Sequence, residues 1–107
     1  MADGNPFAGE VALTLDGRRH VLKLTLGALA ELEAGMEADS LVALVQRFET
    51  GAFTARDVIA LLLAGLRGGG WHGQAKTLLE AEIEGGPMEC TRVAALLLGR
   101  AFALPGA

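Results

Sequence analysis

Residues 54–73, TARDVIALLLAGLRGGGWHG, set the plan of the chain. Thr54 and Asp57 have the spacing of a capping box, in which the hydroxyl accepts one orphan backbone N–H and the carboxylate accepts another. Asp57 also complements the positive end of a helix dipole. Val58, Leu61, Leu62, Gly65 and Leu66 recur at three- and four-residue intervals, which predicts a helix with one apolar stripe. Ile59 and Leu63 widen that stripe until most of the circumference asks for burial, so the helix reads as the central one of its domain. Arg67 suits the exposed carbonyls of a last turn, and Gly68-Gly69-Gly70 stops the helix. Trp71, the single Trp of the chain, follows on that glycine hinge. A large aromatic so placed either folds back as a plug or reaches out to a partner.

Composition points the same way. The chain has 107 residues, enough for one domain with its own core. It is 51% hydrophobic but only 5% aromatic, with no Tyr, so Leu, Ala and Val build the core and favour helix packing. A formal charge of -4 argues against direct nucleic-acid binding, which ordinarily needs a basic face. One Cys excludes an intramolecular disulfide and fits a reducing compartment. The opening MADGNPFAGE does not read as a secretory signal, and no apolar run approaches the roughly 20 residues that span a bilayer. A soluble cytoplasmic protein, with no membrane contact, is the expectation.

In chain order, residues 1–9 read as a flexible N-terminal arm broken by Gly4 and Pro6, in which Phe7 alone has something to bury. The arm is either a tail or a segment that orders on a neighbour. Residues 10–104 form a single globular domain. Within it residues 10–25 alternate: Val11, Leu13 and Leu15, then Asp16-Gly17, then Leu22 and Leu24. Asp-Gly between alternating runs predicts a β-hairpin, because a type I′ turn needs positive φ at both central positions. A two-residue turn pairs Leu15 with Arg18; a four-residue turn pairs Leu15 with His20. Either register leaves one face on helices and the other wet, with open edges as an assembly surface.

Residues 26–104 read as a bundle of about five short helices. Leu26, Leu29, Leu32 and Met36 form the first stripe. Asp39 or Ser40 caps a second helix with Leu41, Leu44, Val45 and Phe48 on one face. The central helix comes third. Ala75, Leu78, Leu79, Glu82 and Ile83 describe a fourth. Pro87 opens the last, which runs through Val93, Ala94, Leu96, Leu97, Leu98, Ala101 and Phe102 and is apolar on every face between Arg92 and Arg100. The fold class is therefore mainly α with a small N-terminal β-hairpin (α+β). Two helices ask for more burial than so small a domain supplies, which favours a partner.

No catalytic constellation appears. His20, His72 and Cys90 show none of the paired spacings of a zinc site. Glu89 opposes a reactive thiolate at Cys90. Gly68-Gly69-Gly70 lacks the Lys-Ser/Thr and the preceding strand of a phosphate loop. A non-enzymatic protein without cofactor or metal is expected.

Three stretches, GEVALTLDGRRHVLKLTLGALAELE, AGLRGGGW and VAALLLGRAF, resemble a small protein of bacterial gene transfer agents, phage-like particles that package host DNA. That family is encoded between tail tube and tape measure and is described both as a tail tube protein and as a tail assembly chaperone. The resemblance covers residues 9–102 and implies a role in tail building, with no catalytic residues to carry over. A tube subunit needs a long sheet to close an inner barrel, whereas one hairpin and about five helices suit a chaperone. The implied partners are the tape-measure protein and the tail tube protein of the same particle, with a homo-oligomer as a further option. The alternative is a structural tail component retained in the particle. Leu62, Leu66, Trp71, Leu97 and Phe102 are the candidate partner contacts, since an amphipathic helix docks in an apolar groove between helices.

Overall fold

The computed structural model describes residues 9–36 and 40–102. It opens with strands β1 (Val11–Leu15) and β2 (Arg18–Leu22), followed by helices α1 (Leu26–Gly35), α2 (Leu41–Thr50), α3 (Ala55–Gly68), α4 (Ala75–Glu80) and α5 (Gly86–Ala101). The expected class, a hairpin followed by five helices, is the observed one. Residues 1–8 of the expected arm, the candidate cap Asp39 and residues 103–104 lie outside the described residues.

The hairpin takes the two-residue turn. Leu15 pairs with Arg18 and Val11 with Leu22. Asp16 and Gly17 adopt φ 49° and 80°, the positive values that a type I′ turn requires. The second strand ends earlier than its alternation predicts. Leu24 continues the apolar pattern into the core, but Thr25 already caps α1, its hydroxyl accepting from the Ala28 N–H at 3.1 Å. Leu26 is consequently the first helical residue, 85% exposed, and does not belong to the buried stripe. Ala28 and Leu32 are buried there instead.

Neither face nor edge of the hairpin is left as the alternation implies. Val11, Ala12, Leu13 and Leu15 are all buried, so β1 is covered on both sides; the wet part is the start of β2, at Arg18 and Arg19. The outer edge of β1 is bonded by the segment between α4 and α5. The Asp16 N–H donates to the Glu82 carbonyl at 2.8 Å, and the Glu84 N–H to the Thr14 carbonyl at 3.1 Å. The Asp16 carboxylate returns a bond from the Glu82 N–H at 2.9 Å. This pairing also corrects the fourth helix, which stops at Glu80. Ala81 turns extended and Ile83 bridges Leu15, although Glu82 and Ile83 fit a helical stripe by spacing. Backbone groups at the edge of a buried strand need partners, and this segment supplies them.

Helix α3 begins as read. The Thr54 hydroxyl accepts from the Asp57 N–H at 3.1 Å and the Asp57 carboxylate from the Thr54 N–H at 3.0 Å. Its end is closed by Gly70 at φ 99°, whose N–H reaches the Arg67 carbonyl at 3.0 Å while the Trp71 N–H reaches the Leu66 carbonyl at 2.9 Å. That pair of bonds is a Schellman closure. Gly65, Gly68 and Gly69 serve a different purpose from stopping the helix. A Cβ on Gly68 would overlap the Lys23 carbonyl oxygen, and one on Gly69 the Val21 carbonyl oxygen. A Cβ on Gly65 would stand 2.7 Å from a Leu97 methyl. These glycines let the last turns of α3 lie flush on the hairpin, where the Lys23 N–H donates to the Gly65 carbonyl at 2.9 Å.

The core is one cluster, with α3 packed on α5, α1 and β2, and α5 on β1. Val58, Leu61, Leu62, Ala64, Gly65 and Leu66 of α3 are buried, as are Val93, Ala94, Leu97 and Leu98 of α5. The expected apolar surplus of α5 is smaller than its sequence implies, because its exposed positions include Ala95 and Gly99. Leu26, Val42, Leu79, Met88 and Phe102 stay exposed, and the half-buried Ile59 and Leu63 of α3 each line a groove.

Candidate functional site

Of the five candidate contacts, Leu62, Leu66 and Leu97 lie in the core, none more than 2% exposed. They hold the domain together and offer no surface in this conformation. Their stripe is the seam on which α3 and α5 meet. Trp71 is half-buried and packed against the core cluster. Its indole lies over Gly73, where a Cβ would collide with the six-membered ring. Gly73 therefore sets the ring's position. Phe102 is 45% exposed at one end of a groove between α2 and α5, which also runs past Val45, Phe48 and Leu98. The structure does not bring Trp71 and Phe102 into one pocket among the described residues.

A second groove is more distinctive. It holds about 580 Å³ between the first turns of α3, the extended segment after α4, and the first turns of α5. Phe53, Val58, Ile59, Ile83, Pro87 and Cys90 line it, and among the described residues no charged one does. Thr91, also in the lining, turns its hydroxyl back to the Pro87 carbonyl at 3.0 Å. Phe53 is held by stacking on Phe48, with ring centroids 4.7 Å apart. Burial, reinforced by the neighbouring Glu89 carboxylate, pushes the Cys90 thiol above its ordinary pKa, so the sulfur is a protonated wall atom rather than a nucleophile.

The groove joins residues 53–59 to residues 81–91, a gap of about twenty positions, so no local pattern reveals it. Ile59 is legible in the sequence as an apolar residue beside the main stripe. Ile83 fits a helical stripe by spacing, but it lies in the extended segment after α4 and walls the groove from there. His20 is half-buried in β2 and His72 is exposed; among the described residues no three His, Cys, Asp or Glu side chains gather as a metal site. No described helix is long and apolar enough to cross a membrane.

The electrostatics of α3 centre on one ion pair. Arg47 of α2 grips Asp57 with two bonds of 2.9 Å, Nε to Oδ2 and Nη2 to Oδ1. The guanidinium first, and the Thr54 N–H with it, hold the Asp57 carboxyl below its usual range against the opposing effect of burial. One carboxylate thus caps α3 and ties α2 to it.

No curated protein and no solved structure matches the chain. A family model described as phage tail tube protein, GTA-gp10, matches residues 8–104, and the chain belongs to that family of phage and gene-transfer-agent tail proteins.

Proposed function

We propose that this tail-related protein is a non-enzymatic assembly chaperone that holds an apolar helix of the tape-measure protein and helps recruit tail tube subunits, acting in the bacterial cytoplasm. The observation that carries this reading is the uncharged groove of about 580 Å³ walled by Ile59, Ile83 and Cys90. Apolar side chains of a partner helix gain roughly 25 cal/mol for each Å² removed from water, and such a groove imposes no desolvation cost of its own charges. The β1 edge adds support, since its Thr14 carbonyl and the adjoining Asp16 N–H, groups that could extend the sheet, are already bonded within the molecule.

The second reading, a structural component retained in the particle, is favoured by the family description as a tail tube protein. Protein content of purified particles separates the two: a chaperone is absent or far below stoichiometric amounts. Co-expression with the tape-measure protein tests the groove directly. Cys90→Phe fills it from within, and is expected to abolish co-purification of tape measure while leaving the helical circular-dichroism spectrum in place. Undiminished co-purification by a folded Cys90→Phe protein would remove the groove from the mechanism.

A further inference from the structure

We propose that a separate groove, between α1, α2 and α3, docks an acidic amphipathic helix of another protein. This site lies on a different stretch of the α3 circumference from the apolar groove and does not depend on the chaperone reading. It holds about 470 Å³. Its α3 wall carries Arg56, Ala60, Leu63 and Arg67, at spacings of four, three and four residues, so they form one line along the helix. Eleven residues at 1.5 Å each put the two arginines about 16 Å apart, three helical turns. Between them the line is aliphatic at Ala60 and Leu63, and Met36 of α1 also lines the groove.

The sign of the groove opposes that of the whole chain. Arg47 and Asp57 at its rim neutralise each other. Arg56 and Arg67 are exposed, and among the described residues neither has an ion-pair partner. Among the described residues Glu31 is the one other carboxylate in the lining. Two described cations therefore face one described anion there, in a chain whose formal charge is -4. An acidic partner is repelled by the chain as a whole, and at physiological salt that repulsion fades beyond about 8 Å. It is held only where cations and aliphatic surface coincide. The complementary occupant is a helix with an aliphatic stripe bounded by carboxylates two to three turns apart.

The test uses the full chain and a fluorescent helical peptide with a Leu/Ala stripe and two Glu about eleven residues apart, matched against the same peptide with Lys at both positions. Anisotropy titration is expected to show the acidic peptide binding about tenfold more tightly, the yield of two partly exposed ion pairs. Arg56→Glu/Arg67→Glu should reverse that preference, and Arg56→Gln/Arg67→Gln should erase it should the reversed protein not fold. Cys90→Phe should leave it unchanged. Equal affinity for the two peptides, or a preference that survives both arginine pairs of substitutions, overturns the proposal. So does self-association in sedimentation that disappears on charge reversal, because the occupant would then be a second copy.

Discussion

Gly68→Ala and Gly99→Ala are the same chemical change in two helices and should have opposite signs. In α3 the new methyl of Gly68→Ala meets the Lys23 carbonyl oxygen, a backbone atom that no rotamer change can move aside. Relief requires the end of α3 to lift from β2, which stretches the 2.9 Å bond from the Lys23 N–H to the Gly65 carbonyl. Overpacking costs about 1–3 kcal/mol and the lost hydrogen bond about 0.5–1.5, against a helix-propensity gain near 1. The net is a loss of about 1–3 kcal/mol, or a fall in Tm of roughly 5–15 °C for a domain of this size. Gly99 sits inside α5 with nothing within 4 Å of a built Cβ. There only the backbone entropy changes, and Gly99→Ala should stabilise by up to about 1 kcal/mol. Urea unfolding followed by circular dichroism reads both, with the slope m unchanged. A Gly68→Ala protein as stable as the parent would refute the flush packing of α3 on the hairpin.

Other perturbations probe the remaining elements. Arg47→Met removes both bonds to Asp57 and should cost about 1–2 kcal/mol at neutral pH, discounted for the partial exposure of the pair. Because folding lowers the Asp57 pKa below its ordinary value of 3.8, that stability is present above this value and lost as pH falls through the folded pKa. Stability curves of parent and Arg47→Met should therefore converge in acid; a constant gap would show that the pair's charge is irrelevant. Gly73→Ala should dislodge the Trp71 indole, shifting the single-Trp emission to the red with helical signal retained, and an unmoved spectrum would place the ring elsewhere. Alkylation of Cys90 at neutral pH should be slow and should speed up in Glu89→Gln, since the carboxylate helps hold the thiol protonated; equal rates would leave burial as the whole cause.

Much of the fold is written in local chemistry. The Thr54–Asp57 box, the Asp16-Gly17 turn and the three- and four-residue spacing of Leu61, Leu62 and Leu66 each act over one turn of chain, so their outcomes are readable without neighbours. The candidate site was far less legible. Leu62, Leu66 and Leu97 are apolar in the same way whether they face a partner or another helix, and sequence periodicity cannot distinguish those fates. Phe102 and Trp71 keep some exposed surface, but the apolar groove is walled by Phe53, Ile83 and Cys90, which no stripe unites.

The amino-acid order alone determined that this chain is a helical domain with one hairpin, centred on residues 55–68, because capping, turn and amphipathic signals are short-range. Tertiary structure decided the rest: that residues 82–84 leave the helical pattern to satisfy the β1 edge, and that Gly65, Gly68 and Gly69 are spaces for a neighbouring strand. It also decided which apolar side chains are core and which wall a groove. Those outcomes depend on which backbone donor or methyl arrives from a distant part of the chain, and such arrivals are fixed only once the helices have packed.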